Sequence, residues 1–137
     1  SPVTSVLFSP NSKYILSTTL GSNIHLYSFV TGKCCKKYVG HTSTKYCCIA
    51  TFGNLRSKNK IVVSGSEDHK IYIWDLSSRE ILQVLEGHSG LILNHSSLFL
   101  RFLDVVLSVT CNPTKNQIAS CSIDDDLSIK IWEDLSG

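Results

Sequence analysis

The feature that most constrains the fold of this chain is an internal repeat. The tetrapeptide YVGH at 38–41 returns as LEGH at 85–88, and the pentapeptide IYIWD at 71–75 returns as IKIWE at 129–133. The sequence therefore contains units of roughly forty residues, each with Gly-His near one end and Trp plus an acidic residue near the other. One unit of this size cannot bury its apolar residues alone, so neighbouring units are expected to stack.

Within each unit the local pattern predicts short β-strands. Apolar and polar residues alternate over brief runs, and turn-forming residues separate the runs. No long segment has helical periodicity. The predicted strands fall at 3–9, 14–19, 23–29, 33–39, 46–52, 61–66, 70–75, 80–85, 105–111, 116–122 and 127–132.

This arrangement resembles the WD40 repeats of β-propellers and predicts an all-β fold. The chain would form a partial propeller over 1–137, with about three four-stranded antiparallel blades at roughly 1–40, 41–87 and 88–137. Propellers close with about four to eight blades, so we expect a fragment of a larger, about seven-bladed ring. Uncovered blade faces and strand edges would favour self-association of the fragment.

One segment departs from the repeat. After the second Gly-His, the residues at 90–104 read GLILNHSSLFLRFLD, where the first strand of a third unit is expected. The insert is apolar and lacks turn residues. Two interpretations stay open: a loop particular to this family that packs on the propeller or is disordered, or a retained short intron.

The charge and the termini exclude several classes of function. Thirteen Lys and Arg against eleven Asp and Glu give a net charge of +2, too weak for nucleic-acid binding through bulk charge. No apolar run reaches the length of a membrane span. The opening SPVTSVLFSP has no basic segment or cleavage site, so we expect no secretion.

The cysteines and acidic residues do not predict a metal site or a cofactor. Two cysteine pairs are adjacent, Cys34-Cys35 and Cys47-Cys48, and neighbours on a strand point to opposite faces. No Cys-x-x-Cys occurs and no cysteine has zinc spacing to a histidine. The run Asp124–Asp126 lacks the alternating spacing of a calcium loop. We expect reduced cysteines that serve as small apolar residues.

The stretch SGSEDHKIYIWD at 64–75 combines serine, acid and histidine, which raises the possibility of hydrolase chemistry. No Gly-x-Ser-x-Gly elbow supports that interpretation. The same residue types recur in the third unit, as expected of a structural framework rather than of a catalytic site. We predict a buried hydrogen-bond chain in the second and third blades, whereas the pattern is eroded in the first, where Tyr27 and Gly21 stand in place of Trp and Asp. Its members would be His41, Ser64, Asp68 and Trp74 in the second unit, and His88, Ser120, Asp126 and Trp132 in the third.

Longer motifs carry a narrower resemblance. FSPNSKYIL, GKCCKKYVGH, KYCCIATF, IVVSGSEDHKIYIWDL and IASCSIDDDLSIKIW are similar to the last three blades of the WD-repeat protein 5 family. That family is the scaffold of histone H3 methyltransferase complexes of the MLL/COMPASS type. The resemblance covers the chain outside 90–104. It implies a nuclear, non-catalytic scaffold that needs no cofactor.

The resemblance implies an arginine site at the mouth of the central channel. This site would take an arginine of the histone H3 tail or of an arginine motif in the methyltransferase, held between aromatic faces. Tyr46 and Cys47 match lining residues of the site. Ile49 stands where the family has a stacking phenylalanine, and Leu107 stands for an isoleucine. The missing ring is expected to weaken arginine binding.

The resemblance also implies a cleft on the opposite face for an acidic, hydrophobic segment of a retinoblastoma-binding-protein-5-like subunit. Asn11, Tyr14, Leu26 and Lys36 match its residues, while Ser77 replaces a glutamine. Lys36 would offer a cation and Asn11 would pair with peptide backbone. The plainer interpretation is that Asn11 makes a turn, Tyr14 and Leu26 pack, and Lys36 is solvated.

Two other functions remain open on the sequence. A WD40 adaptor of another complex, such as a ubiquitin ligase, would show the same repeats. A Ser/His/Asp hydrolase would use Ser64, and the repetition of its pattern counts against it.

Overall fold

The computed structural model describes residues 1–55, 59–87, 105–123 and 128–133, and these residues form an all-β structure without helices. The prediction of an all-β fold is therefore confirmed. In the same ranges no helix has the length and apolarity that a membrane crossing requires. The strands are β1 (Val3–Phe8), β2 (Tyr14–Thr19), β3 (Asn23–Ser28), β4 (Cys34–Tyr38), β5 (Ala50–Asn54), β6 (Lys60–Gly65), β7 (Lys70–Asp75), β8 (Ile81–Glu86), β9 (Val106–Cys111), β10 (Gln117–Ser122) and β11 (Ile129–Glu133).

The described strands form three separate antiparallel sheets. β1 to β4 make the first sheet and β5 to β8 the middle sheet, each in chain order. β9, β10 and β11 make the third sheet, again with sequential neighbours paired. Each sheet is thus an up-and-down meander, which is the construction of a propeller blade.

The predicted strands agree with the observed ones to within about two residues, with one exception. β5 was expected at 46–52 and runs over Ala50–Asn54. Residues 44–46 are held by hydrogen bonds to the β6–β7 turn, and Ile49 donates to Leu107 of the third sheet. The insert at 90–104, together with His88 and the run Asp124–Asp126, lies outside the described residues.

Two apolar clusters lie on opposite faces of the middle sheet and join it to its neighbours. Because side chains alternate along a strand, Ile71 and Ile73 face the third sheet whereas Trp74 faces the first. The cluster toward the third sheet contains Ile61, Val63, Ile71, Ile73, Val106, Val109 and Ile118. The cluster toward the first sheet contains Leu16, Ile24, Leu26, Tyr38, Ala50, Val62 and Trp74.

The two outer sheets expose apolar side chains. Val6 and Phe8 of the first sheet are 67% and 57% exposed, and Ile129 of the third sheet is 75% exposed. Phe8 contacts Phe29 edge to face, at 5.6 Å between ring centroids. Faces of this kind are covered by further blades in a closed propeller. Self-association of this chain stays a prediction.

Gly65 sets how closely the middle and third sheets approach. A Cβ added there would collide with the backbone carbonyl of Val106 and lie 2.9 Å from its Cγ1. We expect Gly65→Ala to lower the free energy of unfolding by about 1–3 kcal/mol, because backbone on β9 must move. Urea denaturation followed by circular dichroism measures this change.

Gly53→Ala is the matched control at the same interface. Its Cβ would meet the side chain of Cys111, which can move more easily than a carbonyl. A loss for Gly53→Ala as large as that for Gly65→Ala would contradict the assignment of the strain to the backbone contact.

Candidate functional site

A cleft of about 700 Å³ lies at the end of the sheets where the β1–β2, β5–β6, β7–β8 and β9–β10 turns meet. All four residues predicted for the partner-peptide cleft line it: Asn11, Tyr14, Leu26 and Lys36. The cleft extends further than the sequence predicted, since Asn112 and Pro113 of the third sheet also line it. Its other lining residues are Ser9, Pro10, Cys35, Phe52, Gly53, Asn54, Lys60, Leu76, Ser77 and Cys111.

The charged residues of the cleft are two lysines, and no carboxylate is among its described lining residues. The Lys36 ammonium donates to the carbonyls of Leu76 and Ser77, at 2.9 and 2.8 Å. Lys36 therefore ties the first sheet to the middle sheet, and two of the three donors of its ammonium are engaged in doing so. Lys60 is exposed, and its ammonium makes no hydrogen bond or ion pair to the described residues. Lys60 is the cation of the cleft that a ligand can reach.

Asn11 has a double role. Its carboxamide oxygen accepts from the Ser9 hydroxyl at 2.7 Å and from the Lys13 amide at 3.1 Å, so Asn11 does make the β1–β2 turn. The carboxamide nitrogen is exposed and donates no hydrogen bond within the described parts of the chain.

The two apolar residues predicted for the cleft differ in exposure: Leu26 is 4% exposed and Tyr14 is 36% exposed. Tyr14 thus offers the accessible apolar surface, and Leu26 supports it from below.

At the opposite end of the middle sheet, the carboxylate of Glu67 holds the chain before β5. It accepts hydrogen bonds from the backbone N–H groups of Thr44, Lys45 and Tyr46, the last two at 2.7 and 2.9 Å. The Thr44 hydroxyl donates to its other oxygen at 2.8 Å. Partial burial raises the pKa of Glu67, but these four hydrogen bonds outweigh it and lower the pKa to about 2.

The four residues predicted for the arginine site lie at this same end. Tyr46 and Ile49 are 39% and 41% exposed, and Cys47 is exposed as well. The backbone N–H of Ile49 donates to the carbonyl of Leu107 at 2.8 Å, which brings the middle and third sheets together here. The arrangement presents one aromatic ring, that of Tyr46, beside aliphatic and thiol groups. It places these residues together at one end of the middle sheet.

The predicted hydrogen-bond chain of the second unit is wrong in its connections. The Trp74 indole N–H donates to the Val39 carbonyl at 2.9 Å and not to Ser64. The Ser64 hydroxyl donates to the backbone oxygen of Gly65. His41 packs edge-on against Trp74, with ring centroids 5.6 Å apart, and neither of its ring nitrogens has a hydrogen-bond partner among the described residues.

Tyr72 explains why Asp68 does not reach His41. The Tyr72 hydroxyl donates to Asp68 at 2.6 Å, and the Lys70 amide donates to the other carboxylate oxygen. The ring of Tyr72 stacks on Trp74 at 5.8 Å. In the third sheet, Trp132 Nε1 does donate to Ser120 Oγ at 2.7 Å. The other two predicted members there, His88 and Asp126, lie outside the described residues.

The cysteines are all free in the structure, and Cys48 is the one that is fully buried. Burial is the main cause that raises the pKa of its thiol, to about 12. Over the described ranges, no group of three or more His, Cys, Asp or Glu side chains is placed to hold a metal ion.

Comparison with known proteins decides the family. The family model described as "WD domain, G-beta repeat" matches residues 1–28, 32–75 and 79–133. The chain belongs to the WD40 repeat family. It is 34% identical over 132 residues to "WD repeat-containing protein WDS homolog" of Arabidopsis thaliana, a match that covers 96% of this chain and 22% of the relative. It is 31% identical over 133 residues to "GID complex subunit 7" of Schizosaccharomyces pombe, with 96% and 23% covered.

A solved structure supports the fold of this WD40 chain. The structure titled "Structure of U3-55K" superposes with a TM-score of 0.69 at 20% identity, covering 96% of this chain and 36% of that one. At this identity the likeness shows the propeller fold alone. The WD40 chain spans well under half the length of each of these three proteins.

The WD40 assignment also bears on the hydrolase alternative. Propellers of this family are generally non-catalytic scaffolds. A serine nucleophile needs a base within hydrogen-bond reach. In this WD40 chain the Ser64 hydroxyl donates to a backbone carbonyl and His41 makes no hydrogen bond, so the two do not form such a pair.

Sequence reasoning missed two residues of the candidate sites. Lys60 begins β6 and resembles an ordinary lysine at the end of a strand. Glu67 belongs to the stretch 64–75, which sequence reasoning assigned to the hydrogen-bond framework. A sequence clue existed for Lys60, because it opens the strand opposite Asn54 at a hairpin end. No sequence clue pointed to the Glu67 hydrogen bonds, since they join residues far apart in the chain.

Proposed function

We propose that this WD40 chain is a non-catalytic, peptide-binding scaffold subunit of a nuclear histone H3 lysine methyltransferase complex. The observation that carries the proposal is the cleft. It collects Asn11, Tyr14, Leu26 and Lys36 in one place and contains two lysines without a described carboxylate. Its occupant is an acidic, hydrophobic segment of a retinoblastoma-binding-protein-5-like partner.

The chemistry of the cleft suits such a segment. Tyr14 and Phe52 offer apolar surface for the hydrophobic side chains. The Asn11 carboxamide nitrogen donates to a peptide carbonyl. Lys60 meets the acidic side chain, in a hydrogen bond strengthened by the two charges. Lys36 has a supporting role, because it fixes the distance between the first and middle sheets that form the walls.

The arginine site is the second part of the proposal. Tyr46, Cys47, Ile49 and Leu107 bind an arginine of the histone H3 tail or of the methyltransferase arginine motif. What supports this is their common position at one end of the middle sheet and the exposure of Tyr46. A guanidinium over one ring, without a second ring at Ile49, gains about half of the stacking that a sandwich provides.

A second candidate is an adaptor of another complex, such as a ubiquitin ligase. The similarity to a protein named as a subunit of the GID complex favours this alternative. The cleft and its peptide chemistry are the same for both candidates. To distinguish the two candidates, the protein is purified from its cells together with its bound partners. The preparation is then assayed for histone H3 methylation and for ubiquitin transfer.

The cleft is tested by reversing the charge of Lys60. We expect Lys60→Glu to weaken binding of an acidic, hydrophobic peptide about tenfold, because an attraction of roughly 1 kcal/mol becomes a repulsion. Fluorescence anisotropy with a labelled peptide measures the affinity. The loss should shrink as salt is raised, since the pair is exposed.

Lys37→Glu is the matched control. It makes the same charge change on an exposed lysine of the first sheet that does not line the cleft. Lys36→Ala is less informative, because it also removes two hydrogen bonds between sheets. Equal losses for the Lys60 and Lys37 variants, or no loss for either, would count against the cleft as the acidic-peptide site.

A further inference from the structure

The β6–β7 turn anchors the arm that carries three of the arginine-site residues. We define this arm as residues 42–49. Its start is fixed by backbone contacts: Glu67 N donates to the Thr42 carbonyl at 2.9 Å, and Thr42 N donates to the Ser66 hydroxyl at 2.9 Å. Its middle is fixed by the Glu67 carboxylate, which accepts from three successive backbone N–H groups. An anion in such a concave row of N–H groups is strongly held.

The middle of the arm has few other attachments. Residues 44–46 belong to no strand. Apart from the Glu67 contacts, the Tyr46 carbonyl accepts from the Ser43 hydroxyl and from Cys48 N, both within the arm itself. Ser43 in turn is bound to Ser22, which lies between β2 and β3 of the first sheet. Among the described residues, Glu67 is therefore the group outside the arm that bonds the backbone at 44–46 directly. The direction of an exposed side chain depends on the direction of the backbone that carries it. By holding the backbone at Tyr46, Glu67 therefore also fixes where the Tyr46 ring points.

We propose that Glu67 is a positioning residue for arginine recognition, whose carboxylate shapes residues 44–46 so that the Tyr46 ring meets the guanidinium face. This inference rests on the arginine site of the proposed function. Preorganisation is the physical gain, because an arm that is already ordered loses less entropy when a peptide binds. One carboxylate oxygen accepts from three N–H groups of the arm and the other from the Thr44 hydroxyl, so the role that this geometry assigns to Glu67 is to act through Tyr46.

Two substitutions separate positioning from direct charge pairing. Glu67→Ala removes every hydrogen bond to the arm. Glu67→Gln removes the charge and keeps an oxygen acceptor for the three N–H groups, while its amide can donate to the Thr44 hydroxyl. Positioning predicts that glutamine largely rescues binding. A direct ion pair with the arginine predicts that glutamine fails as alanine does.

The experiment uses the full-length protein, a histone H3 tail peptide that contains the arginine, and the acidic cleft peptide as a second probe. We expect Glu67→Ala to weaken the arginine peptide tenfold or more, and Glu67→Gln to weaken it less than threefold. Amide hydrogen exchange at 44–46 should accelerate with alanine and stay slow with glutamine. Acidic-peptide affinity should be unchanged in both, because the cleft lies at the other end of β6.

Glu86→Ala is the matched control, since it removes an exposed carboxylate of the middle sheet that pairs with Lys70. It should leave arginine-peptide affinity and exchange at 44–46 unchanged. The proposal is overturned if Glu67→Ala binds the arginine peptide as tightly as the unmodified protein does. It is also overturned if the alanine and glutamine variants lose the same arginine-peptide affinity while amide exchange at 44–46 stays slow in the glutamine variant. If the unmodified protein binds the acidic peptide but not the arginine peptide, the arginine site itself is wrong and this inference is wrong with it.

Discussion

Replacing Trp74 with alanine is expected to lower the free energy of unfolding by about 3–5 kcal/mol. Trp74 has no exposed surface, and it is the largest fully buried side chain among the described residues. The rings of Tyr38, His41 and Tyr72 surround it at centroid distances of 6.3, 5.6 and 5.8 Å. Its removal leaves a cavity between the first and middle sheets and an unpaired carbonyl at Val39. Urea denaturation followed by circular dichroism measures the loss.

Two further variants show which part of the tryptophan matters. Trp74→Phe keeps a ring and removes the hydrogen bond to Val39, so its cost should be smaller than that of alanine. Trp132→Ala removes a tryptophan that is only partly buried on β11, and its cost should also be smaller. An equal loss for Trp74→Ala and Trp132→Ala would contradict the view that Trp74 is the main contact between the first two sheets.

The fold could be predicted because its determinants are local and repeated. Alternation of apolar and polar residues, with turn residues between the runs, predicted a strand at 70–75, and the structure has β7 at Lys70–Asp75. The start of β5 could not be predicted. Residues 46–49 have strand character, but the carboxylate of Glu67, distant in sequence, binds the backbone N–H of Tyr46, and the N–H of Ile49 donates to Leu107.

The middle-sheet framework shows a different limit of sequence reasoning. The spacing of Ser64, Asp68 and Trp74 suggested mutual hydrogen bonds, yet each side chain has a nearer partner. Tyr72, two residues before Trp74, takes Asp68 because its hydroxyl reaches across the turn. A spacing identifies residues that can meet, whereas the choice among competing partners depends on coordinates.

Lys36 shows that a residue can be located from the sequence without its contacts being known. The resemblance placed Lys36 at the cleft, where the structure has it. Its ammonium is bound by two carbonyls of the β7–β8 turn, so the accessible charge belongs to Lys60. Matching residue types between two sequences does not show which backbone carbonyls a lysine will meet. Here those carbonyls engage Lys36 and leave Lys60 as the more accessible lysine.

Acid is expected to destabilise this protein in a window set by His41. Burial lowers the pKa of His41 from its ordinary 6.5 to about 4, although the carboxylates of Asp68 and Glu67 act in the opposite direction. The folded state therefore resists a proton that the unfolded chain accepts. The stabilising contribution is complete above about pH 6.5 and is lost as the pH falls to about 4, with a total of about 3 kcal/mol.

His41→Phe isolates this contribution, because it keeps a ring against Trp74 and removes the titrating group. Urea denaturation at a series of pH values should show a steep decline for the unmodified chain between about pH 6.5 and 4 and a shallower one for the variant. Some decline should remain, since burial also lowers the pKa of His25. The His25→Phe variant should keep most of the steep decline. Parallel curves for the unmodified chain and His41→Phe would show that His41 is not the acid-sensitive group.

The acid response separates His41, which packs on Trp74, from Glu67, which holds residues 44–46. The pKa of Glu67 is lowered to about 2, so its stabilising contribution is lost only as the pH falls from about 4.5 toward 2. Between about pH 6.5 and 4, the unfolded chain takes up a proton at His41 that the folded state resists, while the Glu67 carboxylate of the folded state still holds residues 44–46. Mild acid should therefore lower global stability before it accelerates amide exchange in the arm relative to the rest of the middle sheet.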